Sequence, residues 1–353
     1  MRTVHIDASK NYDIYIGNGI LNDAGRLIQK ACPNVKKCAV ITDDNVDALY
    51  ADSLEKVLSA SGFTVVKYVF PNGERSKTMQ TLTGILNFLG ENEITRSDAV
   101  IALGGGVVGD TAGFAAAVFL RGIHFIQIPT TLLAMVDSSV GGKTAVDLDS
   151  GKNLAGAFWQ PDIVICDCSV LSTLGRSHFA EGCAEIIKYG IIADKELFKF
   201  ICNNPISANA EFVVERCVSI KADIVMHDEH DTGIRQILNF GHTIGHAIEK
   251  CSGYTISHGN AVAMGMIIIS KGAYRQGICK SDISADVYRA LQKYNLPVRC
   301  DFSARELFEV TLSDKKRSGQ FTTVVVSNET GSCELVKIPA ENILGIIEAG
   351  LKE

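Results

Sequence analysis

The pattern of apolar and polar positions divides the chain into two textures. Short apolar runs stand at Lys37–Thr42, Val65–Phe70, Ala99–Leu103, His124–Ile128 and Ile163–Cys166, and several stop at turn-forming or acidic residues such as Asp43-Asp44-Asn45 and Pro71-Asn72-Gly73. Runs this short and this uniformly apolar predict strands buried on both faces. Helical spacing lies between them, over Val46–Ala60, Thr78–Asn92 and a small-residue stretch after Asp110. Strands alternating with helices predict an α/β domain with a mostly parallel, doubly covered sheet. After about Leu174 the pattern turns helical, over Glu185–Ile192, Lys195–Cys202, Ala210–His227, Ile244–Cys251, Ala261–Arg275 and Ser284–Tyr294. Only Phe321–Val326 and Cys333–Ile338 read as a late hairpin. The expected organisation is therefore an α/β domain over residues 1–174 and a mainly α-helical domain over 175–353, with the active site in the interdomain cleft.

Composition adds limits. The 353 residues suit two domains, and 46% hydrophobic with 21% charged residues describes an ordinary globular protein. Against 40 acidic residues stand 34 Lys and Arg, a formal charge of −6 that argues against a nucleic-acid partner. Any anionic ligand must then be met by local charge. The eleven cysteines form no CxxC pair, and the N-terminus is too polar for a secretory segment, so reduced thiols and a cytoplasmic location are expected. The longest apolar stretch, Ala99–Leu120, contains Asp110 and five glycines and is rejected as a membrane span.

Glycine, at 32 residues, is concentrated: 10 of the 53 residues from Gly104 to Gly156. Gly104, Gly106 and Gly109 satisfy GxGxxG between a strand and a helix, the Rossmann-like context in which backbone N–H groups and the helix dipole receive a pyrophosphate. The same spacing also occurs in ligand-free tight turns. No acidic residue lies between Asp110 and Asp137 to hold a ribose, so Asp43 and Asn45 are the candidates for that role. SSVGGK at Ser138–Lys143 lacks the spacing of a Walker loop. Arg121, Asp137, Lys143, Lys152 and Asn153 stand among these glycines, as phosphate-binding groups or as solvated surface charges.

Three of the eight histidines, His242, His246 and His258, fall within 17 residues. His242 and His246 share a helix face, as do Glu185 and Lys188 at i and i+3. Three N/O ligands with an open position form a catalytic zinc site. Spacing nominates His242 and His246, with Glu185 or His258 third. Core or surface histidines satisfied by their neighbours are the alternative.

The runs GGGVVGDTAGFAAA, RGIHFIQIPTTLLAMVDSSVGGKTAVD, GKNLAGAFWQP, AEGCAEIIKYG, RQILNFGHTIGHAIE, SHGNAVAMGM and SDKKRSG resemble, in order and across most of the chain, the 3-dehydroquinate synthases of the sugar-phosphate cyclase superfamily. The resemblance implies an NAD- and divalent-metal-dependent (zinc or cobalt) enzyme of the shikimate pathway. Such an enzyme turns 3-deoxy-D-arabino-heptulosonate 7-phosphate into 3-dehydroquinate and phosphate, by transient oxidation, phosphate elimination, re-reduction and intramolecular aldol closure. It implies Glu185, His242 and His258 as metal ligands, which moves His246 to the substrate phosphate. It implies NAD contacts from Asp43, Asn45, Glu74, Lys77, Gly105, Gly106, Val107, Asp110, Thr130, Thr131, Lys143, Lys152 and Thr173. The implied substrate set is Asp137, Lys143, Asn153, Lys188, Arg235, Asn239, His246 and one or both of Lys315 and Lys316. Arg121 is implied to reach a neighbouring subunit's phosphate site, hence a homodimer. Leu238, His246, Asn239 and Arg235 agree with this branch rather than with valiolone-forming relatives, whereas Ser172 and Ser177 depart from common family residues. A metal-dependent alcohol or glycerol dehydrogenase, the competing class, has no need of the Lys152-Asn153 pair or the DKK loop.

Overall fold

The computed structural model describes residues 1–315 and 320–352, with the side chains of 312–315 set aside. Its chain divides into two compact units, residues 1–175 with 210–230, and residues 176–209 with 231–353. The helix Ala210–His227, expected within the second domain, thus belongs with the first. Its buried Val213, Val214, Cys217, Val218 and Val225 give it an apolar face, and its Lys221 pairs with Asp137 of the first unit.

In the first unit, nine strands run in chain order: β1 (Arg2–Ile6), β2 (Tyr12–Gly17), β3 (Lys37–Asp43), β4 (Thr64–Phe70), β5 (Ala99–Gly104), β6 (His124–Pro129), β7 (Lys143–Leu148), β8 (Gly151–Phe158) and β9 (Ile163–Asp167). Seven form one sheet in the order β1-β2-β9-β6-β5-β3-β4, parallel except for the β1–β2 pair. The connection from β3 runs outward to β4 and that from its neighbour β5 runs the other way to β6, so the strand ends Asp43 and Gly104 flank a topological switch point. Helices cover both faces. Leu27, Ile28, Leu54 and Leu58 bury one side of the sheet, and Leu82, Ile85, Leu89, Val108 and Ala112 the other.

The end of the glycine-rich stretch forms a hairpin that no apolar run marks, β7–β8, antiparallel from Lys143↔Phe158 to Leu148↔Gly151. Its small residues allow close packing: a Cβ on Gly113 of the neighbouring helix would stand 2.5 Å from Thr144 Cγ2. β1 and β2 also escape the apolar pattern, because β1 is mostly exposed.

Three aspartates, Asp98 and Asp167 buried and Asp162 partly so, fasten the strand ends. Asp98 accepts from the N–H groups of Lys37 (3.1 Å) and Thr95 (2.8 Å), and Asp167 from those of Gly19 (2.9 Å) and Leu21 (2.8 Å). Asp162 accepts from Phe125 N–H (2.8 Å), meets His124 Nδ1 at 2.8 Å and Lys10 Nζ at 2.7 Å.

In the second unit, the helix His258–Arg275 is the central element, with thirteen of its residues buried. Around it lie the helices Arg176–Ile192, His242–Cys251, Ser284–Lys293 and Asn342–Leu351. The expected late hairpin is β10 (Phe321–Glu329) with β11 (Ser332–Pro339). Among the described residues no helix is long and apolar enough to cross a membrane.

Burial alone would raise the Asp162 carboxyl, but His124 and Lys10 outweigh it and hold the group below its ordinary value. Its stabilising contribution is therefore complete above the unfolded pKa of about 4 and is lost as pH falls through the lower folded value. Asp162→Ala should cost about 2–4 kcal/mol, since it strands the Phe125 N–H, the Lys10 ammonium and the His124 ring. Denaturant unfolding at neutral pH measures this, and an unchanged midpoint would show that Asp162 fastens nothing.

Candidate active site

In the first unit, β5 ends at Gly104 and the helix Gly106–Val118 starts after an extended Gly105, with no side chain capping it. First-turn N–H groups lack intrahelical acceptors, so this terminus presents donors and a positive dipole end. Thr130 N–H donates to Gly104 O (2.9 Å), fixing the turn to the end of β6. A Cβ on Gly105 would stand 3.0 Å from Thr131 Cγ2, so the backbone approaches Thr131 closely.

Beside this turn, Lys77 is buried with its Nζ 2.5 Å from Asp110 Oδ2, and it also donates to Asn153 Oδ1. Burial pulls the Lys77 ammonium down, but the charges of Asp110 and Glu74 more than offset it and keep it raised. Asn153, at φ 57 near the start of β8, donates its N–H to Asp147 Oδ1 (2.8 Å), and Lys152 Nζ lies 3.2 Å from Glu74. The fold thereby gathers Glu74, Lys77, Asp110, Lys152 and Asn153, which lie far apart in sequence.

Other sequence candidates have partners of their own or are exposed. Asp43 Oδ1 accepts from Val46 N–H (2.9 Å) at the end of β3, and Asn45 is exposed beside it. Thr173 bonds the Tyr50 hydroxyl. Lys143 is exposed at the start of β7, and Arg121 is exposed at φ 68 after Leu120 at φ 51. Asp137 is held by Lys221, whose Nζ donates to its backbone O and Oδ1, both at 2.7 Å. Sequence reasoning missed Lys221 because its partner is 84 residues away and no local spacing marks it.

In the second unit, Glu185 is fully buried on the helix Arg176–Ile192, and buried Lys188, one turn on, pairs with its Oε2. Its Oε1 faces two imidazoles: His242 Nε2 and His258 Nε2 each lie 3.5 Å away. Both histidines are the first residue of their helix. His242 Nδ1 lies 3.1 Å from Phe240 O, and His258 Nδ1 lies 3.3 Å from Glu249 Oε2. Burial drives His242 down to about 3. Burial also opposes a charge on His258, but its hydrogen bonds to Glu185 and Glu249 raise it to about 10.

The ligand atoms of Glu185, His242 and His258 all lie within 4.8 Å of one another. One carboxylate and two imidazoles form a donor set suited to zinc or cobalt. His246 is exposed, its ring centroid 5.5 Å from that of His242 and 5.8 Å from that of His258. It lines a cavity of about 280 Å³ with Asn239, Gln236, His242 and Thr311. Arg235 is buried in the 3₁₀ turn Ile234–Asn239. Lys316 and the side chain of Lys315 lie outside the described residues.

The helix crossings that assemble this cluster depend on glycine. A Cβ on Gly265 would lie 2.1 Å from Gly241 O, and one on Gly259 would lie 2.5 Å from Glu181 Cα. No rotamer change relieves a clash with backbone.

This fold is shared with a class of nucleotide- and metal-binding synthases. A solved 2-deoxy-scyllo-inosose synthase, complexed with carbaglucose-6-phosphate, NAD+ and Co2+, superposes with a TM-score of 0.89 at 26% identity, covering 98% of this chain and 99% of that one. The 2-epi-5-epi-valiolone synthase of Streptomyces hygroscopicus, with NAD+ and Zn2+ bound, shares the fold at a TM-score of 0.86 and 23% identity over 98% of each chain. In sequence, the 3-dehydroquinate synthase of Clostridium acetobutylicum is 45% identical over 97% of this chain and 98% of its own length. The 3-dehydroquinate synthase N-terminal family matches residues 67–181 and the C-terminal family residues 182–317. The chain belongs to the 3-dehydroquinate synthase family.

Gly265→Ala should destabilise the second unit by about 1–3 kcal/mol and lower the metal content of the folded protein. Thermal unfolding and metal analysis read both effects, and a variant with unchanged melting and stoichiometric metal would refute the tight crossing.

Proposed function

We propose that the chain converts 3-deoxy-D-arabino-heptulosonate 7-phosphate into 3-dehydroquinate and inorganic phosphate, as a phosphate-eliminating lyase that uses NAD and one divalent metal. The observation that carries this reading is the buried Glu185 carboxylate facing two imidazole nitrogens, beside a cavity lined by His246 and Asn239. Relatives of that activity match the chain almost end to end.

Glu185, His242 and His258 would hold the metal, and the uncapped helix start at Gly105–Val107 suits the pyrophosphate of NAD. When bound, NAD supplies a reversible hydride acceptor and the cation a Lewis acid that acidifies the substrate alcohol. Asp43, Asn45, Glu74, Lys77, Asp110, Thr130, Thr131, Lys143, Lys152 and Thr173 complete the NAD set in this reading. The remaining work of the protein is to hold a flexible dianionic chain in one conformer. Arg235 and Lys143 would neutralise the substrate carboxylate, Arg235 bidentately. Lys152, Asn153, Asn239, His246 and the Lys315-Lys316 pair would fix the phosphate, so that it is positioned to take the neighbouring C–H proton as it departs. Lys188 and Asp137 belong to the same substrate set, each already held in an ion pair, with Glu185 and Lys221 respectively. Arg121 of a second copy would complete the phosphate site, which makes the working form a homodimer. No disulfide joins any of the eleven cysteines, which suits a cytoplasmic setting.

Purified protein supplied with zinc or cobalt, NAD and the heptulosonate phosphate should release phosphate without net NADH accumulation. Steady NADH build-up on an alcohol, with no phosphate release, would instead identify a dehydrogenase. His258→Ala should lose both metal and turnover, and stoichiometric metal in that variant would refute the ligand set.

A further inference from the structure

We propose that Glu249 is a positioning residue that sets the tautomer and aim of His258, so that Nε2 is its ligating nitrogen. The inference rests on reading Glu185, His242 and His258 as the metal ligands.

An imidazole offers a metal only one nitrogen at a time in such a cluster, and the acceptor on the other nitrogen decides which. The two histidines here are treated alike. His242 Nδ1 faces the carbonyl of Phe240, and His258 Nδ1 faces Glu249 Oε2 at 3.3 Å, while both Nε2 atoms converge on Glu185 Oε1. The first acceptor is backbone and comes from the chain beside His242 itself. The second is a side chain on another helix: Glu249 follows His242 and His246 at i+7 and i+3, on the same face of the helix His242–Cys251. Glu249 is buried, and its Oε2 lies within hydrogen-bonding reach of His258 Nδ1, where a carboxylate acceptor favours the Nδ1–H tautomer.

A rival arrangement uses the same atoms differently. His246, Glu249 and His258 also lie close enough to hold an ion, and there Glu249 would be a ligand. The geometry favours the first arrangement, because two Nε2 atoms already face one fully buried carboxylate, whereas His246 is exposed.

The two assignments separate by substitution. The measurements are Zn2+ affinity, by competition with a chromophoric chelator, and the visible absorption of the Co2+-loaded full chain. Wild type, E249Q, E249M, H246A and H258A are compared. E249Q keeps an oxygen that accepts from Nδ1–H, so its affinity should stay within about threefold of wild type with the same Co2+ spectrum. E249M, of similar volume but without an acceptor, should bind about 10–100-fold more weakly, and H246A should bind as wild type does. Wild-type affinity and spectrum in E249M would overturn the proposal. So would joint loss in E249Q and H246A, which would make Glu249 a ligand. Should E249M fail to fold, E249Q decides: a wild-type spectrum and affinity support the proposal, and a weakened, altered one overturns it. Stoichiometric metal in H258A would remove the underlying ligand set, a result distinct from either.

Discussion

The second unit depends on how closely helices approach the helix His258–Arg275. Gly259, Gly265 and Gly272 each face a different neighbour's backbone: Glu181 Cα, Gly241 O and Ile346 O, the last at 2.1 Å from where a Cβ would stand. Such contacts trade the helix propensity that alanine would bring for proximity. Proximity is what the chemistry needs, because Glu185, His242 and His258 stand on three separate helices. A side chain's width of extra separation where Gly259 meets Glu181, or Gly265 meets Gly241, would pull Glu185 or His242 away from His258.

Charge is handled by the same local logic. The formal charge of −6 describes the surface, not the sites. Inside, Lys77, Lys188 and Lys221 are buried against Asp110, Glu185 and Asp137. Each ammonium brings with it the carboxylate that allows its burial, so cations are held ready at the sites without raising the protein's net charge.

What the sequence revealed follows physical lines. β3, β5, β6 and β9 are legible because strands covered on both faces carry mostly apolar residues. β8, with GKNLAGAF half exposed, and β1, mostly exposed, carry no such pattern. At the metal cluster, spacing within one helix points to His242 and His246, whereas the structure brings His258 and Glu185 to His242 from other helices. The family resemblance points to Glu185, His242 and His258 instead, a choice that periodicity within one helix cannot make. Lys221 and Glu249 stayed hidden for a related reason, since their partners are set by packing rather than by chain position.

The helix Ala210–His227 also shapes how the molecule is built. The strands of the large sheet are all synthesised by residue 175, yet the helix that joins β1 and β2 and supplies Lys221 emerges only after residues 176–209 of the other unit. Neither unit is contiguous, so on the ribosome the first cannot finish folding before the second has begun. A truncation at the apparent domain boundary would leave a sheet without one of its covering helices and an Asp137 without its lysine. The two units are thereby joined in their order of assembly.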